Sequence, residues 1–202
     1  MKKKAIILIG ILLISSIFMI SAGANYSQTI SQNPCPGGPD QNYANDTFFV
    51  FTNVPTRPTG AGTLTIKVRG DYCCYGGPGS YSEAIGVVVE GTSLGAWLPG
   101  EDCSYSLITK TFTVTQEQLR EWAADGKIEV TLVQGAPLYP EDEGTYSDVN
   151  CFCASGYYNY EGGCPAAECG NINIVTLEYE GTAKKSLPMN WIMKKFGLGN
   201  KE

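Results

Sequence analysis

Residues 70–91, GDYCCYGGPGSYSEAIGVVVEG, are central to the predicted fold, because they join two strongly patterned segments through a single loop. The segment before the loop, residues 63–69, alternates apolar and polar side chains, and residues 83–90 after it place Ile85, Val87 and Val89 on one face. A period of two is typical of an antiparallel strand with one face on a core and the other in water. The loop itself carries adjacent cysteines, glycines and a proline, which predict a turn-rich connection.

Outside this stretch, the chain has five more segments with strand-like composition or alternation. A single helix is predicted at residues 115–126, because Thr115 and Gln118 form a capping box and Gly126 follows at the helix end. Its residues Leu119 and Trp122 share one face. The seven predicted strands are residues 47–52, 63–69, 83–90, 94–98, 107–114, 127–133 and 172–180.

Many strands, one short helix and turns rich in glycine and proline predict an all-β protein built as an antiparallel two-sheet sandwich. Jelly-roll or Greek-key connectivity is the predicted version of it. Residues 55–62 are expected to form a loop. Residues 134–171 form a long cysteine-rich insertion, in which residues 149–152 are expected to add a short strand.

The two ends of the chain differ from this domain. Residues 1–24 have three lysines, an apolar run and an Ala-Gly-Ala site, which predict a cleaved signal peptide; an uncleaved anchor is the alternative. Residues 25–46 are predicted to be an extended arm and residues 47–181 the β-sandwich domain. Residues 182–202 form a basic amphipathic tail that is expected either to be disordered or to touch an anionic membrane or a partner.

Charge and composition exclude several function classes. Residues 25–181 contain six basic and 19 acidic residues, so no nucleic-acid binding is expected. The protein has no histidine, which excludes Ser-His-Asp and Cys-His catalysis and histidine-ligated zinc. An enzyme would have to use carboxylates, tyrosines or lysines. A glycosidase with a carboxylate pair such as Glu101 with Asp102 is the alternative, although adjacent loop residues do not hold two carboxylates across a scissile bond. A non-catalytic protein is therefore predicted.

All eight cysteines follow the predicted signal peptide, and an even number in an exported chain predicts a disulfide framework. Eight cysteines allow 105 pairings, so the connectivity stays open. A thiolate metal site is the alternative, although no C-x2-C spacing occurs. The cysteines are Cys35, Cys73, Cys74, Cys103, Cys151, Cys153, Cys164 and Cys169.

Residues 63–181 resemble a known kind of module in the run TLTIKVRGDY…SEAIGVVVEGTSLGAWL…FTVTQEQLREWAADGKIEVTLV…NIVTLEYEG. This run resembles the secreted jelly-roll modules of bacterial and archaeal surface proteins, which look like carbohydrate-binding or galactose-binding-like domains. The shared marks are a strand, Gly-Asp, a loop, Glu and a second strand, followed later by a helix that ends in Asp-Gly. The resemblance implies an extracellular module that binds a glycan, and it adds weight to a calcium site.

Two sets of residues are candidates for binding. Acids at the ends of the predicted loops are expected to supply oxygen ligands to Ca²⁺, although solvated loop acids are the alternative. Tyrosines in the two long loops are expected to stack on sugars or contact a protein, although rings that cover disulfides are the alternative. The acids are Asp71, Glu83, Asp102 and Asp148. The tyrosines are Tyr72, Tyr75, Tyr81, Tyr157, Tyr158 and Tyr160.

The sequence thus predicts a secreted, non-catalytic module at the cell surface or outside the cell. Its expected partner is a glycan or a surface protein, with Ca²⁺ as a candidate cofactor. The alternative is a structural subunit of an extracellular filament or surface layer, in which the arm or the tail adds to a neighbour's sheet edge. Asn25 and Asn45 begin N-x-S/T sequons and are expected glycosylation sites where the host modifies them.

Overall fold

The computed structural model describes residues 24–37, 43–72, 76–77, 79–100, 106–139, 146–149 and 171–182. These residues contain ten strands and one helix, and most of the strands follow the alternation described above. The strands are β1 (Ala24–Gln32), β2 (Thr47–Thr52), β3 (Arg57–Arg69), β4 (Tyr81–Ser82), β5 (Ile85–Val89), β6 (Thr92–Trp97), β7 (Ile108–Val114), β8 (Lys127–Gln134), β9 (Tyr146–Ser147) and β10 (Ile172–Thr182). The helix, α1, spans Gln116–Trp122.

Eight of the strands form two antiparallel sheets of four, which confirms the predicted two-sheet architecture. Sheet 1 has the order β1-β10-β3-β7, and sheet 2 has the order β2-β8-β5-β6. The pairs are nested along the chain, because β1 lies beside β10, β2 beside β8, β3 beside β7 and β5 beside β6. The short strands β4 and β9 make a separate parallel pair.

The core lies between the inward faces of the two sheets. Strand β3 buries Leu64, Ile66 and Val68 there, while its Lys67 is exposed, as the period of two predicts. The residues predicted to face inward are also buried in three other strands, with strict alternation in β8 and β10, whereas β5 buries Gly86 as well. The inward-facing residues are Ile85, Val87 and Val89 in β5, Ile128, Val130 and Leu132 in β8, and Val175, Leu177 and Tyr179 in β10.

Helix α1 closes one end of the sandwich and follows the predicted capping pattern. Thr115 accepts a hydrogen bond from the Gln118 backbone at 3.2 Å, and the Gln118 side chain accepts one from the Thr115 backbone at 2.9 Å. Leu119 and Trp122 are buried against the core. We call this the helix end of the sandwich. No helix within the described residues is long and apolar enough to cross a membrane.

Strand β1 differs from the sequence prediction, which treated residues 25–46 as an arm. Its nine residues pair with β10 in an unbroken antiparallel register from Ala24–Gly181 to Gln32–Asn173. The strand has little apolar content, and only Tyr26 and Ile30 pack partly against the core. Its strand conformation therefore comes from pairing with β10 and not from its own hydrophobic pattern.

Strand β3 begins six residues earlier than predicted, within the segment expected to be a loop. Pro58 and Arg57 pair with Gly181 and Thr182 of β10, beyond an irregularity at Tyr179. Gly62 makes the close approach possible, because a Cβ there would lie 2.7 Å from the backbone oxygen of Glu178. Gly62, which signals a turn in the sequence, thus serves sheet packing.

Within the described residues of the cysteine-rich insertion there is one short strand, Tyr146–Ser147. Residues 150–152 lie outside the described residues, so the strand expected at residues 149–152 stays a prediction. Val149 lies outside the strand and is fully buried. Cys35 is 6 % exposed and disulfide-bonded. The other seven cysteines lie outside the described residues, so the framework as a whole stays a prediction. Residues 1–23 of the predicted signal peptide (residues 1–24) and residues 183–202 of the predicted tail (residues 182–202) also lie outside them.

Candidate functional site

The predicted binding residues that the structure describes lie at the end of the sandwich opposite helix α1. There β3 ends at Arg69, β8 ends at Gln134 and β10 begins at Ile172. We call this the loop end. Antiparallel strands place connections from distant parts of the sequence at the same end of a sheet. The loop end therefore contains segments from four parts of the chain.

Three short segments form a layer across the loop end, and we call this layer the loop platform (residues 43–45, 80–84 and 146–149). Tyr146 and Asp148 donate backbone hydrogen bonds to Ser80 and Ser82, each at 3.0 Å. Ala44 donates to the carbonyl of Val149 at 2.8 Å. The platform is therefore held by main-chain bonds between segments that are more than 60 residues apart.

The loop platform rests on the residues that follow β8. Gly135 has φ +67°, and a Cβ at this position would lie 2.2 Å from the Cα of Ser147. The hydroxyl of Ser82 donates to the carbonyl of Ala136 at 2.7 Å and accepts from the backbone of Ala84 at 3.1 Å. Only glycine allows the end of β8 and β9 to approach this closely, so Gly135 determines how far the platform lies from the end of β8.

Aromatic side chains project from and beside the platform. Tyr43 and Tyr146 are about half exposed, at 51 % and 56 %, and Tyr139 on the segment after β8 is 56 % exposed. Tyr81 is half-buried and is the direct partner of Tyr146 in the β4–β9 pair. Partners in such a pair project to the same face of the pair, so Tyr81 and Tyr146 share a face.

Beneath the platform lies a buried polar network centred on Tyr72. The Tyr72 hydroxyl lies 3.0 Å from Oε1 of Gln134 and 3.1 Å from Oδ1 of Asn173. Asn173 in turn donates from Nδ2 to Oγ1 of Thr47 at 3.1 Å. The backbone of Gln134 donates to Oδ1 of Asp46 at 2.8 Å. The network connects β2, β8 and β10, and so links sheet 1 to sheet 2.

One atom of this network has no hydrogen-bond partner, namely Nε2 of Gln134. The Tyr72 hydroxyl has a single hydrogen and faces two amide oxygens, so it can donate to only one of them. A half-turn of the Gln134 amide would let Nε2 donate to the phenol oxygen while the phenol donates to Asn173. In that arrangement, the Tyr72 hydroxyl donates one hydrogen bond to Asn173 and accepts one from Gln134.

The structure corrects the prediction that Tyr72 is a ligand-binding ring. Tyr72 is 0 % exposed, and its hydroxyl is used within the core, so its ring cannot stack on a sugar. Tyr81 stays a candidate. Tyr75, Tyr157, Tyr158 and Tyr160 lie outside the described residues. The exposed Tyr43, Tyr139 and Tyr146 were missed, because no pattern in residues 25–46 or 134–171 separates an exposed tyrosine from a buried one.

The predicted calcium ligands do not form a cluster among the described residues. Asp71 and Glu83 are buried, at 9 % and 7 % exposure, and each has partners; Asp148 is half-buried. Burial raises the pKa of the Asp148 carboxyl above its usual value. No three Asp, Glu, Cys or His side chains of the described segments are grouped as a metal site would need, and Asp102 lies outside those segments. Calcium binding stays a prediction.

Asn25 and Asn45, the predicted glycosylation sites, are both exposed. Asn25 lies in β1 opposite Glu180, and the backbone of Asn45 donates to the carbonyl of Pro34 at 2.8 Å. Exposure is a requirement for modification, and the modification itself stays a prediction.

Three buried or partly buried tyrosines predict loss of stability in alkali. Burial raises the pKa of Tyr26 to about 12, and burial also raises the pKa values of Tyr72 and Tyr179 above the ordinary phenol value of 10.0. Above pH ~10 the unfolded chain releases protons that the folded chain retains, so the free energy of unfolding should fall as pH rises.

Urea unfolding at steps between pH 8 and pH 11 measures this effect, with tyrosinate absorbance recorded in parallel. The variant Tyr179→Phe is the control, because it removes one of the three groups and should make the fall shallower. A free energy of unfolding that stays constant over this range would contradict the assignment of these phenols as buried.

No protein-family model and no curated protein sequence matches this chain. The fold and the loop end therefore define its class by themselves: an antiparallel two-sheet β-sandwich protein with tyrosines exposed at the end opposite its helix.

Proposed function

We propose that the protein is a secreted, non-catalytic module that binds a glycan at the tyrosines of the loop end. The observation that carries the proposal is the exposure of Tyr43, Tyr139 and Tyr146 at or beside a hydrogen-bonded platform. Tyrosine offers a rigid apolar ring face for sugar C–H groups and a hydroxyl for hydrogen bonding, at a small cost in side-chain entropy.

The fold supports the same proposal. With β4 and β9 set aside, the first strand lies beside the last, the second beside the seventh, the third beside the sixth and the fourth beside the fifth. Such nested antiparallel pairs are the order of a jelly roll, and we infer jelly-roll connectivity from them. The fold and the sequence resemblance then favour the same extracellular class, although a fold alone does not define a ligand.

The rigidity of the platform also supports a binding role. Its segments are joined by backbone bonds, and Ser82 and Gly135 connect it to the end of β8. A preformed aromatic surface loses little conformational entropy when a ligand binds, which favours affinity. We also propose that the protein is exported and that its eight cysteines form disulfides, which would add to this rigidity.

A glycan array with the purified protein tests the proposal, and calorimetry then measures Kd for the sugars that bind. Replacing both Tyr43 and Tyr146 with alanine is expected to weaken binding at least tenfold, about 1.4 kcal/mol. The control is Phe48→Ala, which removes another exposed aromatic ring, 62 % exposed, from β2 and outside the platform segments. This control should bind as the unaltered protein does.

Three outcomes decide the proposal. Loss of binding in the tyrosine variant alone supports it. An array without hits, or equal losses in both variants, overturns glycan binding at the platform. Repeating the titration with Ca²⁺ and with EDTA decides the role of the cation, because a Kd that EDTA leaves unchanged excludes calcium from recognition.

A structural subunit of a filament or surface layer is the second candidate. It is favoured by the exposed apolar side chains of Phe48 and Val50 on β2, which lies at the edge of sheet 2. A structural subunit forms open-ended assemblies, whereas a binding module stays small. Sedimentation velocity over a hundredfold range of concentration distinguishes the two.

A further inference from the structure

Strand β2 has the composition of a self-associating segment and lies at a sheet edge. Its sequence, TFFVFT, has six β-prone residues and contains no charge, proline or glycine. Two of its outward side chains are well exposed, Phe48 at 62 % and Val50 at 42 %. An uncharged apolar edge strand is a ready template for pairing with another chain, so its edge needs protection.

The edge of β2 is protected by side chains of β1. The amide of Gln32 donates from Nε2 to the carbonyl of Phe48, and its Oε1 accepts from the Phe48 backbone at 3.3 Å. Four residues along each strand, Oε1 of Gln28 accepts from the backbone of Thr52 at 3.3 Å. A side-chain amide carries the same donor and acceptor as a peptide group, so these glutamines occupy the positions of a neighbouring strand.

The arrangement depends on the register of β1. Because β1 pairs with β10 in sheet 1, its alternate residues Tyr26, Gln28, Ile30 and Gln32 face the edge of sheet 2. The Tyr26 hydroxyl donates to Oε1 of Gln28 at 2.6 Å and so orients that amide. Tyr26 itself is held by the ring of Tyr179, 5.3 Å away between centroids. The register of β1 and these contacts thus hold Gln28 and Gln32 in place against the edge of β2.

We propose that the β2 edge is an association surface for a second copy of this chain and that Gln28 and Gln32 keep it closed. By alternation, the backbone groups of Phe48, Val50 and Thr52 all face this edge. The segment is complementary to itself: paired antiparallel about Val50, each Phe48 lies opposite the partner copy's Thr52, with no charge at any position.

Such pairing has two-fold symmetry. It joins sheet 2 of one copy to sheet 2 of the other in one continuous sheet. The exposed side chains of Phe48 and Val50 in the two copies then become neighbours. An isologous contact of this kind is closed and gives a dimer, not a filament. The proposal does not depend on glycan binding, because it concerns β2 and is measured without a ligand.

The test is the oligomeric state of the variant Gln28→Ala/Gln32→Ala. Sedimentation equilibrium should find the unaltered protein monomeric, and the variant should dimerise with an association constant at least tenfold higher. The matched control is Ser27→Ala/Ser31→Ala, which changes the exposed face of the same strand and should stay monomeric. Adding Val50→Lys to the glutamine variant should restore the monomer, because two like charges would then lie opposite each other.

Several results would overturn the proposal. A glutamine variant that stays monomeric while its urea midpoint falls shows that the amides only stabilise the fold. A dimer that persists with Val50→Lys, or that the serine control also forms, places the contact elsewhere. Where the double variant does not fold, Gln32→Ala alone removes both contacts with Phe48, and slower hydrogen exchange at Phe48 and Val50 with rising concentration is the expected sign of pairing.

Discussion

Replacing Gly135 with alanine is expected to lower the free energy of unfolding by about 3 kcal/mol and to abolish binding at the loop platform. The added Cβ would lie 2.2 Å from the Cα and 2.4 Å from the Cβ of Ser147. The left-handed φ of +67° adds a second penalty. Backbone strain of this kind costs roughly 1–2 kcal/mol, and overpacking against main-chain atoms costs roughly 1–3 kcal/mol more.

The clash cannot be relieved by a change of rotamer, because the nearest atom belongs to the backbone of β9. Strand β9 would have to move away from the end of β8, and the Tyr81–Tyr146 pair would move with it. Since the platform tyrosines depend on this pair, stability and ligand affinity should fall together. Urea unfolding and the glycan titration measure the two effects separately.

Gly91→Ala is the matched control for this experiment. Gly91 has φ +75°, yet nothing lies within 4 Å of an added Cβ. It therefore carries the backbone penalty alone, about 1–2 kcal/mol, and lies away from the platform. If Gly135→Ala were no more destabilising than Gly91→Ala, the close approach of β8 and β9 would not be what positions the platform.

The parts of the fold that could be predicted from the sequence are those in which local pattern and tertiary structure agree. Leu64, Ile66 and Val68 alternate along β3 because that strand has one face in the core and one in water. Thr115 and Gln118 form a capping box because both partners lie within one helical turn. In such cases, the residues that carry the signal are also the residues that make the contact.

Strand β1 could not be predicted because its partners are distant in the chain. The residues that it directs toward sheet 2 include Gln28 and Gln32, and their polar side chains break the apolar alternation that marks a strand. These side chains contact the backbone of Phe48 and Thr52, which a sequence pattern does not show. The polar side chains of Gln28 and Gln32, which make the strand hard to predict, are therefore the ones that protect the β2 edge.

For Tyr72 the prediction from the sequence was wrong in a different way, because its position in the sequence suggests an exposed ring. It follows Gly70 and Asp71 in a loop, where an aromatic ring is normally a candidate for binding. Its burial depends on Gln134 and Asn173, which are 62 and 101 residues away. A buried tyrosine needs a partner for its hydroxyl, and only the folded chain shows that this one has two.

The second large effect is expected at Tyr72 itself. Tyr72→Ala should cost about 3–5 kcal/mol, since it removes a fully buried ring and leaves a cavity between the two sheets. Tyr72→Phe keeps the ring and removes only the hydroxyl, so it isolates the network. It leaves Oδ1 of Asn173 and the side-chain amide of Gln134 buried without this partner, which should cost about 1–3 kcal/mol.

Tyr179→Phe is the matched control, because that hydroxyl is also buried but donates to a single acceptor, the carbonyl of Pro55, at 2.8 Å. Its loss should cost about 1 kcal/mol. The comparison distinguishes a network from one hydrogen bond, and a double-mutant cycle of Tyr72→Phe with Asn173→Ala should give a coupling energy above ~0.5 kcal/mol. Additive losses at Tyr72 and Asn173, or a Tyr72→Phe variant no less stable than Tyr179→Phe, would mean that sheets 1 and 2 are joined at the loop end by packing alone.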